Sequence, residues 1–287
     1  MQTDKSFGNI GTRRNTSLFS IAILLLLSLF FNINTADAQC KYPNTAFNAG
    51  ESLDYDLYFN WKFVWVKAGS TQFKVTSTNY EGKSALRTDI IFRSNKQCDA
   101  VFPMKDTLVS YTTPELVPLY FRKGANEGKR YTVDEVWYSY VGGKTVMKQK
   151  YLSADGEWLN HETTSNECVN DMLNILLLSR SIDYSSYKVN QRIHYKMVTG
   201  KRLSDQILIY KGKENFKAND KKTYRCLVFS LLDDKEKKKE KELLRFYITD
   251  DKNHLPVRID FFLKFGVAKA YFKTGTGIRN PIQSIVK

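Results

Sequence analysis

Apolar and polar residues alternate along much of the chain, and the clearest stretch begins at residue 53. From Leu53 to Trp61 the odd-numbered positions are apolar or aromatic, and most of the even-numbered ones are polar. A period of two predicts a strand with one buried face. Val257 to Leu263 repeats the pattern near the C-terminus. Sheet is therefore expected at both ends of the region that follows residue 38.

Shorter segments of the same kind fill the region between these two strands. Strands are predicted at 71–77, 84–93, 105–112, 131–141, 144–152, 157–164, 191–198, 205–211, 223–231 and 242–249. Turn-forming pairs such as Glu81-Gly82 and Gly142-Gly143 separate most of them, and these residues tolerate the left-handed conformations of tight turns. Asp250-Asp251 is assigned to a turn for the same reason. The series predicts an antiparallel meander.

One segment, residues 170–181, has the period of a helix instead. Asn170 or Asp171 can cap its start, and the residues that follow are apolar nearly all round. Such a helix must be buried on more than one side, which requires a concave sheet around it. The predicted fold is mainly β: a curved antiparallel sheet or incomplete β-barrel with one buried apolar helix at about 170–181.

The helix divides the chain into two β-rich parts. We prefer a single β-rich domain over 39–287, because no Pro- or Ser-rich linker and no fixed-period repeat occurs. The alternative is two half-barrel lobes, 47–165 and 186–275, with the helix between them.

Residues 1–38 are typical of an export signal. Basic residues lead into a 14-residue, largely apolar run from Leu18 to Phe31, and Ala36-Asp37-Ala38 offers small residues for cleavage. The run is short for a permanent membrane helix, which needs about 20 residues, although an uncleaved anchor is an alternative. No second such run follows. A lipoprotein anchored at Cys40 is another alternative, disfavoured by Gln39 before it. We expect an exported protein, periplasmic or associated with the outer membrane.

The four cysteines all lie in the exported part, where disulfides persist. They are Cys40, Cys98, Cys168 and Cys226, and no C-x-x-C spacing occurs among them. Four cysteines allow three pairings, and the sequence does not choose between them. One bridge and free buried thiols both stay open.

The chain is strongly basic, with a formal net charge of +14. Without residues 1–38 it retains 41 basic and 28 acidic residues. This excess favours anionic surfaces such as phospholipid headgroups or acidic glycans, although solubility alone explains it equally well. Nucleic acid is disfavoured as a partner by the export signal.

No pattern typical of catalysis is found. His161, His194 and His254 are isolated from one another and from cysteine, and no G-x-S-x-G string occurs. Asp54 and Asp56 would lie about 7 Å apart on one strand face, a spacing that glycosidases use, but alternation places them on the solvent face. We predict no catalytic residue, no metal site and no cofactor, and we do not favour an enzyme.

Aromatic residues supply the candidate ligand site. Trp61, Phe63 and Trp65 alternate around Lys62 and Val64, and aromatics beside lysine suit lipid interfaces and sugar faces. The candidate ligand-binding residues are Trp61, Phe63, Trp65, Tyr120, Phe121 and Trp137. Core packing is the competing explanation. A curved sheet with an aromatic interior holds an acyl chain or a glycan if the helix leaves space.

Several landmarks follow one another in a recognisable order. They are 50–55 (Gly-Glu-Ser-Leu-Asp-Tyr), 67–69 (Lys-Ala-Gly), a helix with Asp171, Leu173 and Arg180, the segment 248–259, and Gly266. In this order they resemble the exported bacterial proteins of domain-of-unknown-function family 3108. The resemblance covers about 50–272. It implies a periplasmic or envelope-associated β-rich protein, similar in architecture to the curved-sheet lipoprotein carriers, and it supplies no activity.

Three functional hypotheses follow from these patterns. The first is a non-enzymatic envelope protein that binds or carries an amphipathic anionic ligand, either lipid or lipid-linked glycan. The second is an assembly protein that docks on an envelope partner through a sheet edge or its basic surface, without a small-molecule ligand. A hydrolase is the third and least favoured.

Overall fold

Strands form most of the computed structural model, which describes residues 40–61, 64–100, 103–233, 241–263 and 266–286. The strands are β1 (Ser52–Trp61), β2 (Val64–Tyr80), β3 (Lys83–Ser94), β4 (Met104–Thr112), β5 (Pro118–Glu127), β6 (Arg130–Val141), β7 (Lys144–Leu152), β8 (Trp158–Ser165), β9 (Val169–Asn170), β10 (Arg192–Thr199), β11 (Arg202–Lys217), β12 (Thr223–Asp233), β13 (Lys241–Thr249), β14 (Pro256–Leu263), β15 (Gly266–Thr276) and β16 (Ile285–Val286). The helices are α1 (Lys96–Asp99) and α2 (Met172–Ser181). The mainly β fold is as predicted.

The strands make one continuous sheet. Its order is β8-β7-β6-β5-β4-β3-β2-β1-β15-β14-β13-β12-β11-β10-β9, and β16 pairs with β12 outside this path. Neighbouring strands are antiparallel except for the short β9, which is parallel to β10. The sheet curls into a nearly closed barrel with one seam, between β8 and β9. The predicted incomplete barrel is therefore confirmed.

Side chains bridge the seam between the two ends of the sheet. Gln149 of β7 donates a hydrogen bond of 2.5 Å from its Nε2 to the carbonyl of Gly200, in the turn after β10. Val136 and Met147 from one end share an apolar cluster with Val198 from the other. The curl is therefore held by packing and by a side-chain hydrogen bond.

Helix α2 packs into the apolar core of the barrel. Asp171 caps it by accepting hydrogen bonds from the backbone N–H groups of Leu173 and Asn174, both at 2.9 Å. Leu173 packs into the cluster formed with β4 to β7, whereas Leu177 and Leu178 pack into the larger cluster formed with β1, β2 and β10 to β15. The predicted buried helix is confirmed, and it joins the two apolar clusters.

Two features of the sheet differ from the alternation pattern. Strand β5 was not predicted, because its second half, Lys-Gly-Ala-Asn-Glu, is poor in strand-forming residues. Its hydrogen bonds to β4 and β6 on either side stabilise it.

Asp56 was predicted to face solvent, but only 8% of it is exposed. Lys67 covers it through a 2.8 Å ion pair, and Asn219 donates a 3.3 Å hydrogen bond to it.

Cys40 and Cys168 form a disulfide across 128 residues. Cys98 and Cys226 are free thiols, half-buried and buried respectively.

Within the described ranges, no helix combines the length and apolarity needed to cross a bilayer. Whether the barrel folds as one domain or as two lobes stays a prediction.

Candidate functional site

Five aromatic rings lie on one face of the sheet, in what we call the aromatic band: Tyr58, Trp65, Phe216, Tyr247 and Tyr271. The centroids of Tyr58 and Tyr271 are 5.5 Å apart. Phe216 lies 5.6 Å from Tyr247 and stacks on Tyr271 at 5.8 Å. Five strands, β1, β2, β11, β13 and β15, therefore contribute to a single aromatic surface.

Two cations lie against this band, and they differ in their partners. The guanidinium of Arg258 lies 4.5 Å from the ring centre of Tyr247, and a bidentate ion pair with Asp260, at 2.6 and 2.7 Å, neutralises it. The Lys269 ammonium lies 4.2 Å from the ring centre of Trp65. Among the described residues, no carboxylate forms an ion pair with Lys269. Partial burial, together with nearby Arg258, lowers the pKa of Lys269.

Two bulges bring the band together. The pairing of β1 with β2 shifts register between Leu57 and Tyr58, so that Ala68 of β2 is left without a partner. A one-residue shift moves the following side chains to the other face, and this places Trp65 beside Tyr58. A second register shift, in the pairing of β11 with β12, lies at Gly212, whose φ is +105°. It bends β11 and places Phe216, near the end of that strand, against the other rings of the band. A glycine is needed there because other residues rarely adopt that φ.

A second group of rings lies elsewhere on the barrel. Tyr80, Tyr111, Tyr120 and Trp137 form a chain with centroid separations of 4.8, 5.9 and 5.4 Å. Burial raises the pKa of the Tyr80 hydroxyl to about 12, and Tyr120 donates a 2.7 Å hydrogen bond to Glu135. Fifteen residues of β2 separate Trp65 from Tyr80, which is about 50 Å of extended strand. The two groups are therefore separate surfaces.

The residues predicted from sequence thus occupy different places. Trp65 belongs to the aromatic band, and Tyr120 and Trp137 belong to the second group. Phe121 lies on the opposite face from Tyr120, in the apolar cluster with Leu173, and is 2% exposed. Phe63 and the side chain of Trp61 lie outside the described residues. A ligand role for these six residues stays a prediction.

Sequence reasoning missed most of the band, including Lys269. Tyr58 and Tyr271 lie in alternating segments, where an aromatic residue signals strand and not site. Phe216 comes from a hairpin whose bend depends on the bulge at Gly212. Two signals were available in the sequence. Glycines inside long strands mark bulges, and aromatic residues occur on the same strands.

A buried charged cluster connects helix α2 to the start of β1 and to the β13–β14 turn. Arg180 and Glu51 are both fully buried and form a bidentate ion pair at 2.5 and 2.9 Å. Arg180 also donates to the carbonyl of Asn253 from Nε and Nη2, at 3.2 Å each, and its own carbonyl is bonded to Nδ1 of His254 at 2.7 Å. Arg180, Glu51 and Asn253 are buried from solvent, so their role is to fix the helix against β1 and the β13–β14 turn.

This cluster unites three of the landmarks noted in the sequence, those that contain Glu51, Arg180 and Asn253. The profile of the family described as protein of unknown function DUF3108 matches residues 54–273. The chain belongs to the DUF3108 family. The match includes Arg180, Asn253 and both strands that carry Lys269 and Trp65. No curated protein matches the chain.

Solved structures match this DUF3108 protein, and one of them is similar to it in fold. A β-barrel-like protein of domain of unknown function DUF1849 from Brucella abortus has a TM-score of 0.53 and 9% identity, over 82% of this chain and 100% of the other. A putative exported protein with a YmcC-like fold from Bacteroides fragilis has a TM-score of 0.33 and 8% identity, over 83% of this chain and 100% of the other. The first similarity supports the barrel-like fold alone.

Two clefts offer further concave surface in this DUF3108 protein. One of about 400 Å³ is lined by polar and charged residues together with Pro103 and Met104. One of about 170 Å³ adjoins the disulfide and contains His194 and Lys196. Within the described ranges, no three His, Cys, Asp or Glu side chains are grouped as metal ligands. The aromatic band, in contrast, offers a ligand aromatic rings together with the positive charge of Lys269.

Proposed function

We propose that this protein is a non-enzymatic component of the bacterial envelope that binds an amphipathic anionic ligand at the aromatic band. The ligand class is a phospholipid or a lipid-linked glycan, with its phosphate on Lys269 and its acyl chain or sugar face on Trp65. The observation that carries the proposal is the 4.2 Å contact between the Lys269 ammonium and the Trp65 ring, without an ion-paired carboxylate among the described residues.

The charges around Lys269 favour an anion at this position. Arg258 is neutralised by Asp260, and Lys67 is neutralised by Asp56 at 2.8 Å. Lys269 lies opposite Asp260 on the neighbouring strand, but Asp260 is bound by Arg258, so Lys269 has no ion pair of its own among the described residues. Its lowered pKa reflects the free energy cost of holding that charge in a partly desolvated place near Arg258. A phosphate bound there would remove that cost and raise the pKa of Lys269 again.

Trp65 supplies the apolar part of the site. Its side chain is 40% exposed although it packs against Lys269, so one ring surface stays open. An indole offers a large rigid surface to acyl chains and sugar rings at little cost in conformational entropy. Charge and apolar surface are thus side by side, as an amphipathic anion requires.

The export part of the proposal has its own support. The disulfide between Cys40 and Cys168 suits an oxidising compartment such as the periplasm. The basic and apolar pattern of residues 1–38 is typical of an export signal. Localisation is tested directly by fractionating the producing cells and reading the N-terminus by intact mass.

Calorimetric titration with dihexanoylphosphatidylglycerol, a monomeric anionic lipid, tests the ligand site. Dihexanoylphosphatidylcholine is the matched neutral lipid. We expect tighter binding of the anionic lipid, and Lys269→Gln should weaken it about 10- to 100-fold, the range expected for loss of a charge-assisted hydrogen bond. The Lys74→Gln variant, with an exposed lysine changed elsewhere on β2, should bind as the wild type does.

Equal affinity of wild type and Lys269→Gln for the anionic lipid would refute this site. Equal affinity of the wild type for both lipids would refute the role of charge. Native mass spectrometry of protein isolated from its own envelope then identifies the ligand, and recovery of the bare chain mass would count against a carrier.

A further inference from the structure

Exposed apolar side chains are concentrated on the strand ends beside two hairpin connections at one end of the barrel, Val64 to Val66 of β2 and Leu263 of β14, which we call the tips. The pairings put the β1–β2 and β14–β15 connections at the same end, because Phe59 pairs with Ala268 where β1 ends and β15 begins. Gly266, at the start of β15, lies directly against Asn60 and Phe59. The two tips are therefore neighbours in space.

Both faces of the first tip are exposed. Val64 is 61% exposed, and Trp65 and Val66, which point to opposite faces of β2, are each 40% exposed. Leu263 on the second tip is 52% exposed. A strand inside the barrel buries one face, as β2 does from Gly69 to Val75. This part of the strand thus exposes apolar residues on both sides, although Trp65 packs against Lys269.

Basic residues surround these tips. Lys269 contacts Trp65, and Lys67 follows Val66. The next connections around the same end carry exposed Lys105, Lys129 and Arg130, together with exposed acidic Asp99 and Glu127. An apolar tip beside positive charge combines the two signals that peripheral proteins need to hold an anionic bilayer.

The opposite end of the barrel differs in arrangement. Its exposed large apolar residues include Val141 at the end of β6, Val189 before β10, and Ile285 and Val286 of β16. Val141 and Val189 lie on separate elements and are as exposed as the residues of the tips, at 64% and 59%. They serve as matched controls for exposure and residue type.

We infer that the paired tips, Val64 to Val66 and Leu263, dock this protein on an anionic phospholipid bilayer. Val64, Val66 and Leu263 insert among the acyl chains near the headgroups. Trp65 lies at the interface, where tryptophan is favoured, and the basic residues contact lipid phosphates. The aromatic band then opens at the membrane surface. Docking shares Trp65 and Lys269 with the proposed ligand site, but Val64 and Val66 belong to the tips alone, so the two proposals can be tested separately.

The test uses the protein as the cell produces it and sedimentation with two kinds of vesicle. One contains phosphatidylcholine with about 30% phosphatidylglycerol, and the other contains phosphatidylcholine alone. We expect binding to the anionic vesicles that weakens when NaCl is raised from about 50 to 500 mM, because salt screens the surface potential. Val64→Asp with Val66→Asp should lower the partition coefficient at least tenfold. Val141→Asp should leave it unchanged.

A second measurement separates the tips from any contribution of residues 1–38, which are common to all variants. Tryptophan fluorescence is recorded with vesicles whose acyl chains are brominated near the headgroups. Quenching should occur in the wild type and in Val141→Asp, and it should be lost in the double variant. Equal thermal midpoints show that the exposed substitutions leave the fold intact.

Docking by the tips is overturned if the double variant sediments and is quenched as Val141→Asp is, or if no variant is quenched at all. Equal binding to both vesicle types at low salt would overturn the preference for anionic lipid. Failure of docking can be distinguished from failure of the ligand site. The double variant should keep its affinity for monomeric dihexanoylphosphatidylglycerol, which depends on Lys269.

Discussion

The buried ion pair of Arg180 and Glu51 makes the strongest prediction about stability. Both side chains have no exposed surface, and Arg180 also binds the carbonyl of Asn253. Replacing Arg180 by Met leaves the Glu51 carboxylate as a buried charge without its partner. Removing one member of a buried pair costs about 3–5 kcal/mol of the free energy of unfolding. We expect the same range for Glu51→Met.

The double replacement separates this cost from lost packing. With Met at both positions no buried charge remains, although the Asn253 carbonyl loses its donors, which costs about 1–3 kcal/mol. The double variant should therefore be more stable than either single variant. The surface pair of Lys213 with Asp250 is the control: Lys213 is 57% exposed, and Lys213→Met should cost less than about 1 kcal/mol.

Urea unfolding followed by circular dichroism and tyrosine fluorescence measures these free energies. A single variant that fails to fold, beside a double variant that folds, agrees with the expectation. If the double variant loses the sum of the two single losses, to within about 0.5 kcal/mol, the residues are not coupled and the argument from buried charge is wrong.

Three further predictions concern stability. Cys168→Ala should lower the free energy of unfolding by about 2–5 kcal/mol, because the disulfide closes a loop of 128 residues, whereas Cys98→Ala, at a free thiol, should have little effect in the same urea titration. Burial raises the pKa of the Asp171 carboxyl to about 7, far above its ordinary 3.8, so the folded state favours the protonated form and stability should fall as pH rises from about 4 to about 7. Asp171→Asn keeps the helix cap and should remove this pH-dependent part. The free energy of unfolding, from urea titrations, should then fall by about 2–4 kcal/mol less between pH 4.5 and pH 7.5 than it does in the wild type. Parallel pH profiles of the two proteins would contradict it. Gly69→Ala should lower the melting temperature strongly, because a methyl group there would overlap the carbonyl of Arg93; an unchanged melting temperature would show that the strands separate easily.

Much of the fold could be predicted from the alternation of residues. Leu53, Tyr55 and Leu57 of β1 are buried as the alternation predicts, and the helix over 172–181 begins after the expected cap Asp171. These features are local, because burial of one strand face or of a whole helix is written in the spacing of apolar residues. Strand β5 escaped prediction because its sequence lacks that spacing and its neighbours stabilise it.

Register and long-range contacts were decided by the tertiary structure alone. The sequence contained Glu51, Arg180 and Asn253 as parts of separate landmarks, but only the closed sheet brings them into one buried cluster. Likewise, the bulge at Ala68 turns Trp65 toward Lys269 of a strand 200 residues later. A side chain's face depends on every residue pairing before it, so one unpaired residue reverses it. Periodicity within a strand carries no information about that pairing, and the site therefore emerged only when the barrel was assembled.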